Sequence, residues 1–455
     1  MNEIVTSVLA FVVAISVLVA VHEYGHFWVA RKLGVRVLRF CIGFGKPVWS
    51  RVAGRDPVEY AVAAIPLGGY VKLLDEREGP VPEDQKHRAF NRQTPVKRIA
   101  ILVAGPLFNF IFAVIAYWMM FITGVSALQP VIGGVEAGSR AERADLRAGD
   151  RIVAVDQRET PTMMDARIGL LDGLVGDGEA RLRVVGSDGQ PRDLLLTVSG
   201  DRRELTEHAD IFPQLGIQPW RPVVPPVIGS LSEDGSALRS GLEVGDRILT
   251  ADGEAVDDWS GWVDFVRARP DQHVALEIER GGRRQSLDLL IGTSTSGSEE
   301  IGLIGAGVVV PEGLYDEIIT QQRFGPFEAV AQSISRTWDM SALTVRMLYR
   351  MITGDVSPKS ISGPINIAQT AGYTASVGLA AFLAFLAIVS ISLGILNLLP
   401  IPMLDGGQIV YQIAEMIKGS PVSERTQIIG QQVGILLLLM LMSFAFYNDI
   451  VRLAG

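Results

Sequence analysis

Apolar residues gather along this chain in four long runs, and polar residues fill the intervals between them. Ile4–Val21, Ile99–Ile122, Gly378–Leu404 and Ile428–Tyr447 contain no charged side chain. A stretch of about 18 or more such residues is long enough, as a helix, to cross a bilayer. The pattern therefore predicts four transmembrane helices. The first has no basic leader and no small-residue cleavage site before its polar end, so it reads as a retained span rather than a signal peptide.

Between the second and third runs the patterning changes to that of soluble protein, and it repeats. Ala141–Asp156 (AERADLRAGDRIVAVD) aligns without gaps on Ala237–Asp252 (ALRSGLEVGDRILTAD). Leu146, Gly149, Asp150, Arg151 and Ile152 recur as Leu242, Gly245, Asp246, Arg247 and Ile248. Each copy reads as a short helix, a Gly-Asp turn and an alternating strand. The spacing is that of a duplicated small β-rich domain, well beyond solenoid periods. The L-x-x-G-D-R-I pattern resembles PDZ domains of bacterial proteases, which commonly take an extended peptide on a sheet edge. Repeats acting only as spacers or size filters remain the other reading. Four prolines in Gln218–Gly229 suit an extended linker between the copies. Farther on, Phe327, Val330, Ile334, Trp338, Val345, Leu348 and Ile352 recur at steps of three, four or seven, predicting an amphipathic helix. It would pack on the second repeat or lie on a membrane surface.

These patterns, together with the family resemblance given below for the membrane-associated β region, give an α-helical polytopic membrane protein: four transmembrane helices, that β region, and two β-rich PDZ-like domains between spans two and three. The expected units are a first span (1–30), a cytoplasmic or membrane-associated β region (31–98), a second span (99–123) and PDZ-like domains at 127–220 and 221–312. An amphipathic helix and connector (313–377), a third span (378–405), a cytoplasmic loop (406–427) and a fourth span (428–448) follow.

Charge sets the expected orientation. Arg31–Arg98 is rich in Lys and Arg relative to Asp and Glu, which marks that loop as cytoplasmic. Both termini and the repeats then face outward. The net charge of −9 offers no footprint for nucleic acid. A single cysteine, Cys41, excludes an internal disulfide framework. Hydrophobic residues at 48% and a mean hydropathy of +0.29 agree with a membrane protein.

Chemistry is concentrated where the first run ends. His22 and His26 stand four apart, so one helical face carries both imidazoles. Glu23 is offset by one position and can reach a metal-bound water without being a ligand. This H-E-x-x-H arrangement is the zinc hydrolase pattern, with Glu23 as general base. Three ionisable groups at the edge of a span are costly and mark a functional site. A catalytic zinc takes a third protein ligand and keeps a fourth position for water. His87, His208 and His273 stand in poor surroundings for that role: His87 in a charged loop, the others in the outer region. Asp405 is the stronger candidate. It ends the third run in NLLPIPMLDGGQ (Asn397–Gln408), where Pro400 and Pro402 remove backbone donors and break the helix. The expected topology puts it on the same side as His22 and His26. Asn397, polar within the same run, either binds a substrate backbone or stabilises helix packing.

H-E-Y-G-H in a first span, N-x-x-P-x-P-x-L-D-G in a later one and PDZ-like repeats between them resemble the site-2 protease family. The resemblance covers nearly the whole chain. It implies an intramembrane zinc metalloprotease that cleaves single-span substrates, with Zn2+ on His22, His26 and Asp405 and with Glu23 catalytic. Asn397 matches a family position linked to substrate binding, and Pro400 and Pro402 accompany it in the motif. A membrane-dipping β region is also implied, and Cys41–Ser50 and Glu59–Leu73 fit its place, with Tyr60–Ile65 a strand and Gly68–Gly69 a turn before Tyr70. An edge there could receive the substrate as a strand; an ordinary hairpin is the alternative. Ala104–Phe110 resembles a second-span segment of the family, in which Asn109 reads as structural. By the same resemblance, partners are an anti-sigma factor in envelope stress signalling, remnant signal peptides and membrane lipid. The location is the bacterial inner membrane, and the repeats screen substrates by size. Two other classes compete: a scaffold holding structural zinc, and an enzyme acting on lipid or peptidoglycan precursors.

Overall fold

The structure, a computed structural model, describes residues 3–198, 205, 210–296, 299–311, 313, 314, 316 and 318–454. Helix α1 (Glu3–Lys32) continues three turns past the charge-free run, so His22 and His26 lie inside it. Two long strands follow, β1 (Val37–Ala53) and β2 (Val58–Leu73). Each bends once. Phe40, Cys41 and Ile42 of β1 face Tyr60, Ala61 and Val62 on one side and Val71, Tyr70 and Gly69 on the other. The far half of β1, from Pro47 to Ala53, pairs with Ala63 to Val58. A small sheet of four arms results, with Gly69–Leu73 outermost and set against α1. Gly68 at the bend packs under the Phe44 ring, where a Cβ would lie 2.0 Å from a ring carbon and push the exposed ring aside. Helix α2 (Pro95–Thr123) then packs along α1.

The chain leaves α2 through the strand Val125–Leu128 and returns beside it through Ile319–Gln322, which pairs with it residue by residue. Between these two strands lie the repeats. In the first, the sheet runs Arg158–Glu159, Arg151–Val155, Glu179–Val185, Pro191–Thr197, with helix α3 (Met163–Gly176) against it. The second runs Glu254–Ala255, Arg247–Ala251, His273–Arg280, Arg283–Leu290, with helix α4 (Trp259–Arg267). The shared Gly-Asp does the same work in both. Asp150 accepts from the Arg147 backbone N–H at 2.8 Å and from Arg192; Asp246 accepts from Glu243 N–H at 2.8 Å and from Arg280. A buried carboxylate thus closes each turn, and Ile152 and Ile248 follow it into separate apolar cores. His208 lies outside the described residues.

Helix α5 (Pro326–Thr353) has the expected amphipathic pattern, but its polar face meets the first repeat rather than the second. Arg336 pairs with Asp165 and Arg346 with Asp172, both on α3, and Arg350 donates to the Val175 carbonyl. Phe327, Trp338 and Ile352 on its other side are exposed. Helix α6 (Pro364–Val377) lies along α1, with Gly372 tight against Ser7. Helix α7 (Leu379–Leu398) stops short of the expected end of the third span, before Pro400 and Pro402. The stretch expected as a loop after it is mostly helix α8 (Asp405–Lys418), because Ile409, Ile413, Met416 and Ile417 recur at helical spacing. With α1, α2 and α7, helix α9 (Glu424–Ala454) makes four helices among the described residues long and apolar enough to span a membrane. Near its end Asp449, buried, accepts hydrogen bonds from the backbone N–H groups of Gly363, Ile365 and Asn366 and so caps α6 from another helix.

Candidate active site

Two glycines let α1 and α2 bring the histidines together. A Cβ on Gly25 would lie 2.4 Å from the Ala104 carbonyl oxygen, so the helix backbones touch there. A Cβ on Gly105 would lie 2.3 Å from His26 Nε2 and 2.8 Å from His22 Cε1, so the imidazoles occupy the space a side chain would take. Both rings are held at their outer nitrogens. His26 Nδ1 donates to the Ile101 carbonyl at 2.8 Å, and His22 Nδ1 meets the Asn109 amide at 3.1 Å. The two Nε2 atoms converge, 3.2 Å apart.

Asp405 closes the triangle from α8. Its Oδ2 lies 3.2 Å from His22 Nε2 and 3.4 Å from His26 Nε2. The break after α7 that presents it depends on Gly406 and Gly407, whose Cβ atoms would meet the Leu398 and Ile401 carbonyl oxygens at 2.3 and 2.2 Å. A buried ion pair, Arg98 with Glu415 at 2.5 Å, holds α8 to the start of α2.

Zinc fits this set. Tetrahedral bonds of about 2.0–2.1 Å place ligand atoms about 3.3 Å apart, the spacing found here. Asp405 Oδ2 is buried and has no hydrogen-bond partner among the described residues, as expected of an atom whose partner is an ion. His22, His26 and Asp405 form the group of described side chains whose ligand atoms could share one ion. The Ile101 carbonyl and the Asn109 amide are second-layer groups of the kind that orient ligating histidines.

A cavity of ≈ 430 Å³ opens on these atoms. Glu23 lines it beside the two histidines, as does Val71 of the outermost sheet arm. Gly69, Tyr70 and Asn397 line it as well, joined by Met403 and Gln408. Gly68 lies outside the lining, packed on Phe44; so do Pro400, which is exposed, and Pro402, whose carbonyl accepts from Gln408 at 3.1 Å. Gly105 went unnoticed in the sequence because its role is an absence of atoms; only its place in a Gly-Pro pair within a helix hinted at a constraint.

Three side chains able to share one metal ion, two on the apolar helix α1 and one at the start of α8, with a carboxylate beside them in a cavity, fit a membrane-embedded zinc hydrolase. The chain belongs to peptidase family M50, whose model matches residues 10–441, and it is a zinc metallopeptidase. It is 44% identical over 447 residues to the regulator of sigma-E protease RseP of Escherichia coli (strain K12), covering 98% of both chains. Protease RseP of Yersinia pestis is 43% identical over 460 residues, the full length of both. A Vibrio cholerae relative, 40% identical over the full length of both, carries the words zinc metalloprotease in its name. A solved PDZ domain of an SdrC-like protein from Listeria monocytogenes matches 20% of this chain and 92% of its own at 20% identity, with a TM-score of 0.16, too low to bear on either repeat.

Proposed function

We propose that this protein cleaves single-span membrane proteins within the bilayer, using Glu23 as general base beside zinc held by His22, His26 and Asp405. The observation that carries this is the meeting of those four side chains in one cavity bounded by apolar helices and a sheet edge. Zinc, when bound, lowers the pKa of a coordinated water to about 7 and polarises a carbonyl. Glu23 accepts a proton from the attacking water and returns it to the departing amine, while the C–N bond breaks. A helical substrate hides its carbonyls in hydrogen bonds, so it must be drawn out to react. The arm Gly69–Leu73 offers backbone groups for an extended segment, with Asn397 and Tyr70 at its flanks.

The relatives' names point to sigma-E regulation, which makes a trimmed anti-sigma factor the favoured substrate, with signal-peptide remnants as a second class. The repeats, placed between α2 and α5, read as PDZ-like domains that screen for substrates with small outer parts, in an inner-membrane protein whose termini and repeats are periplasmic. A structural zinc scaffold would need a fourth protein ligand, and none joins the three among the described residues.

The test compares the purified wild type with Glu23→Gln for zinc content and for cleavage of a single-span substrate with a short outer tail. Retained zinc with cleavage reduced at least 100-fold is expected. Equal cleavage by both forms would remove Glu23 from the mechanism.

A further inference from the structure

We propose that Asn109 is a positioning residue that holds His22 in the tautomer a metal ligand requires. Asn109 is fully buried in the middle of α2, among apolar neighbours. Burying an amide there is unfavourable unless its polar atoms are bonded. Its nitrogen Nδ2 lies 3.1 Å from His22 Nδ1, and its oxygen Oδ1 has no partner among the described residues.

For Nε2 to ligate a metal, the imidazole must carry its proton on Nδ1 and needs an acceptor opposite it. His26 has one in the fixed Ile101 carbonyl. For His22 the matching acceptor is Asn109 Oδ1, brought opposite Nδ1–H by a half turn of the amide about Cβ–Cγ. The oxygen and nitrogen ends of an amide occupy nearly the same space, so that turn moves no neighbour. With the nitrogen facing His22, the amide instead donates to Nδ1 and favours the proton on Nε2, which opposes ligation.

The backbone of Asn109 is fixed from the third span. Ser390 Oγ donates to the Asn109 carbonyl at 2.9 Å, and Gly394 packs against Asn109 Cβ. The amide is therefore the free part of a rigid mount, and α7 sets its position relative to His22.

This inference rests on His22 being a zinc ligand, and the experiment separates the two. Zinc affinity is measured by chelator competition on the detergent-purified full chain for wild type, His22→Ala, Asn109→Leu and Asn109→Asp, with helicity checked by circular dichroism. Leucine keeps the amide's shape without its acceptor; aspartate keeps the acceptor. The expected result is a 10–100-fold loss for Asn109→Leu and near-wild-type affinity for Asn109→Asp. Wild-type affinity in Asn109→Leu, or equal losses in the Leu and Asp variants, would overturn the positioning role while leaving the ligand assignment intact. Wild-type affinity in His22→Ala would overturn the ligand assignment itself. Should Asn109→Leu not fold, Asn109→Ala replaces it with the same expectations.

Discussion

Gly105 offers a sharp test of how the metal site is built. Alanine there adds one methyl group, which would sit 2.3 Å from His26 Nε2, 2.7 Å from its Cε1 and 2.8 Å from His22 Cε1. Carbon and nitrogen atoms in ordinary contact stay about 3.5 Å apart. At least one ring must therefore retreat by roughly 1 Å, several times the ~0.2 Å tolerance of a metal bond. The α2 backbone has little room to give, because Ala104, one residue before, already touches Gly25. Overpacking of this size costs about 1–3 kcal/mol. Taken from the metal-bound state alone, that is roughly a 10–100-fold loss of zinc affinity. Chelator competition on the purified protein reads it directly, with Gly79→Ala as reference, since a Cβ on Gly79 meets nothing within 4 Å. Wild-type zinc affinity in a folded Gly105→Ala protein would refute the reasoning.

Asp449→Ala strips three backbone N–H groups, one of them buried and two part-buried, of their acceptor and should cost about 2–3 kcal/mol; amide exchange at Gly363, Ile365 and Asn366 should quicken together, and unchanged protection would show that the cap holds nothing. Acid should loosen the loop that borders the cavity. Hydrogen bonds from Arg92 and then Asn91 hold the Glu76 carboxyl below its ordinary 4.5, at about 2. A lowered folded value means the contact is fully present above pH 4.5 and is lost as pH falls towards 2. Hydrogen exchange around Asp75–Arg92 should rise across that window in wild type and be raised already at neutral pH in Glu76→Gln; a flat wild-type profile would contradict this.

The sequence carried some of this plainly. His22, Glu23 and His26 are legible because a helix turns imidazoles four apart onto one face, and the apolar run leaves no cheaper reason for them. The repeats are legible because a buried Asp closing a turn must recur with its turn: Asp150 and Asp246 do. Asp405 followed from two prolines and the topology. Other features depend on contacts between distant segments. Nothing in β1 alone says that it will be flanked twice by β2, since one apolar stretch suits either neighbour. The arginines of α5 fit any acidic helix, and the choice of α3 over the second repeat comes from where the strands Val125–Leu128 and Ile319–Gln322 return the chain. Gly25, beside the two histidines, could be read as room for a second backbone, but Gly105, Gly406 and Gly407 matter through atoms they lack, and a single sequence cannot distinguish such a glycine from a flexible one.

The proposed ligands sit far apart in the chain: two on the first helix, the third at the start of α8. During synthesis the first span enters the membrane carrying two histidines and Glu23, and no complete triad. The triad closes only after the repeats have been made, α7 has been inserted and α8 has docked against the start of α2. Closing so long a loop adds little entropic cost for its extra length. On the proposed ligand set, activity arises late in assembly, and a chain truncated anywhere before Asp405 is expected to lack it.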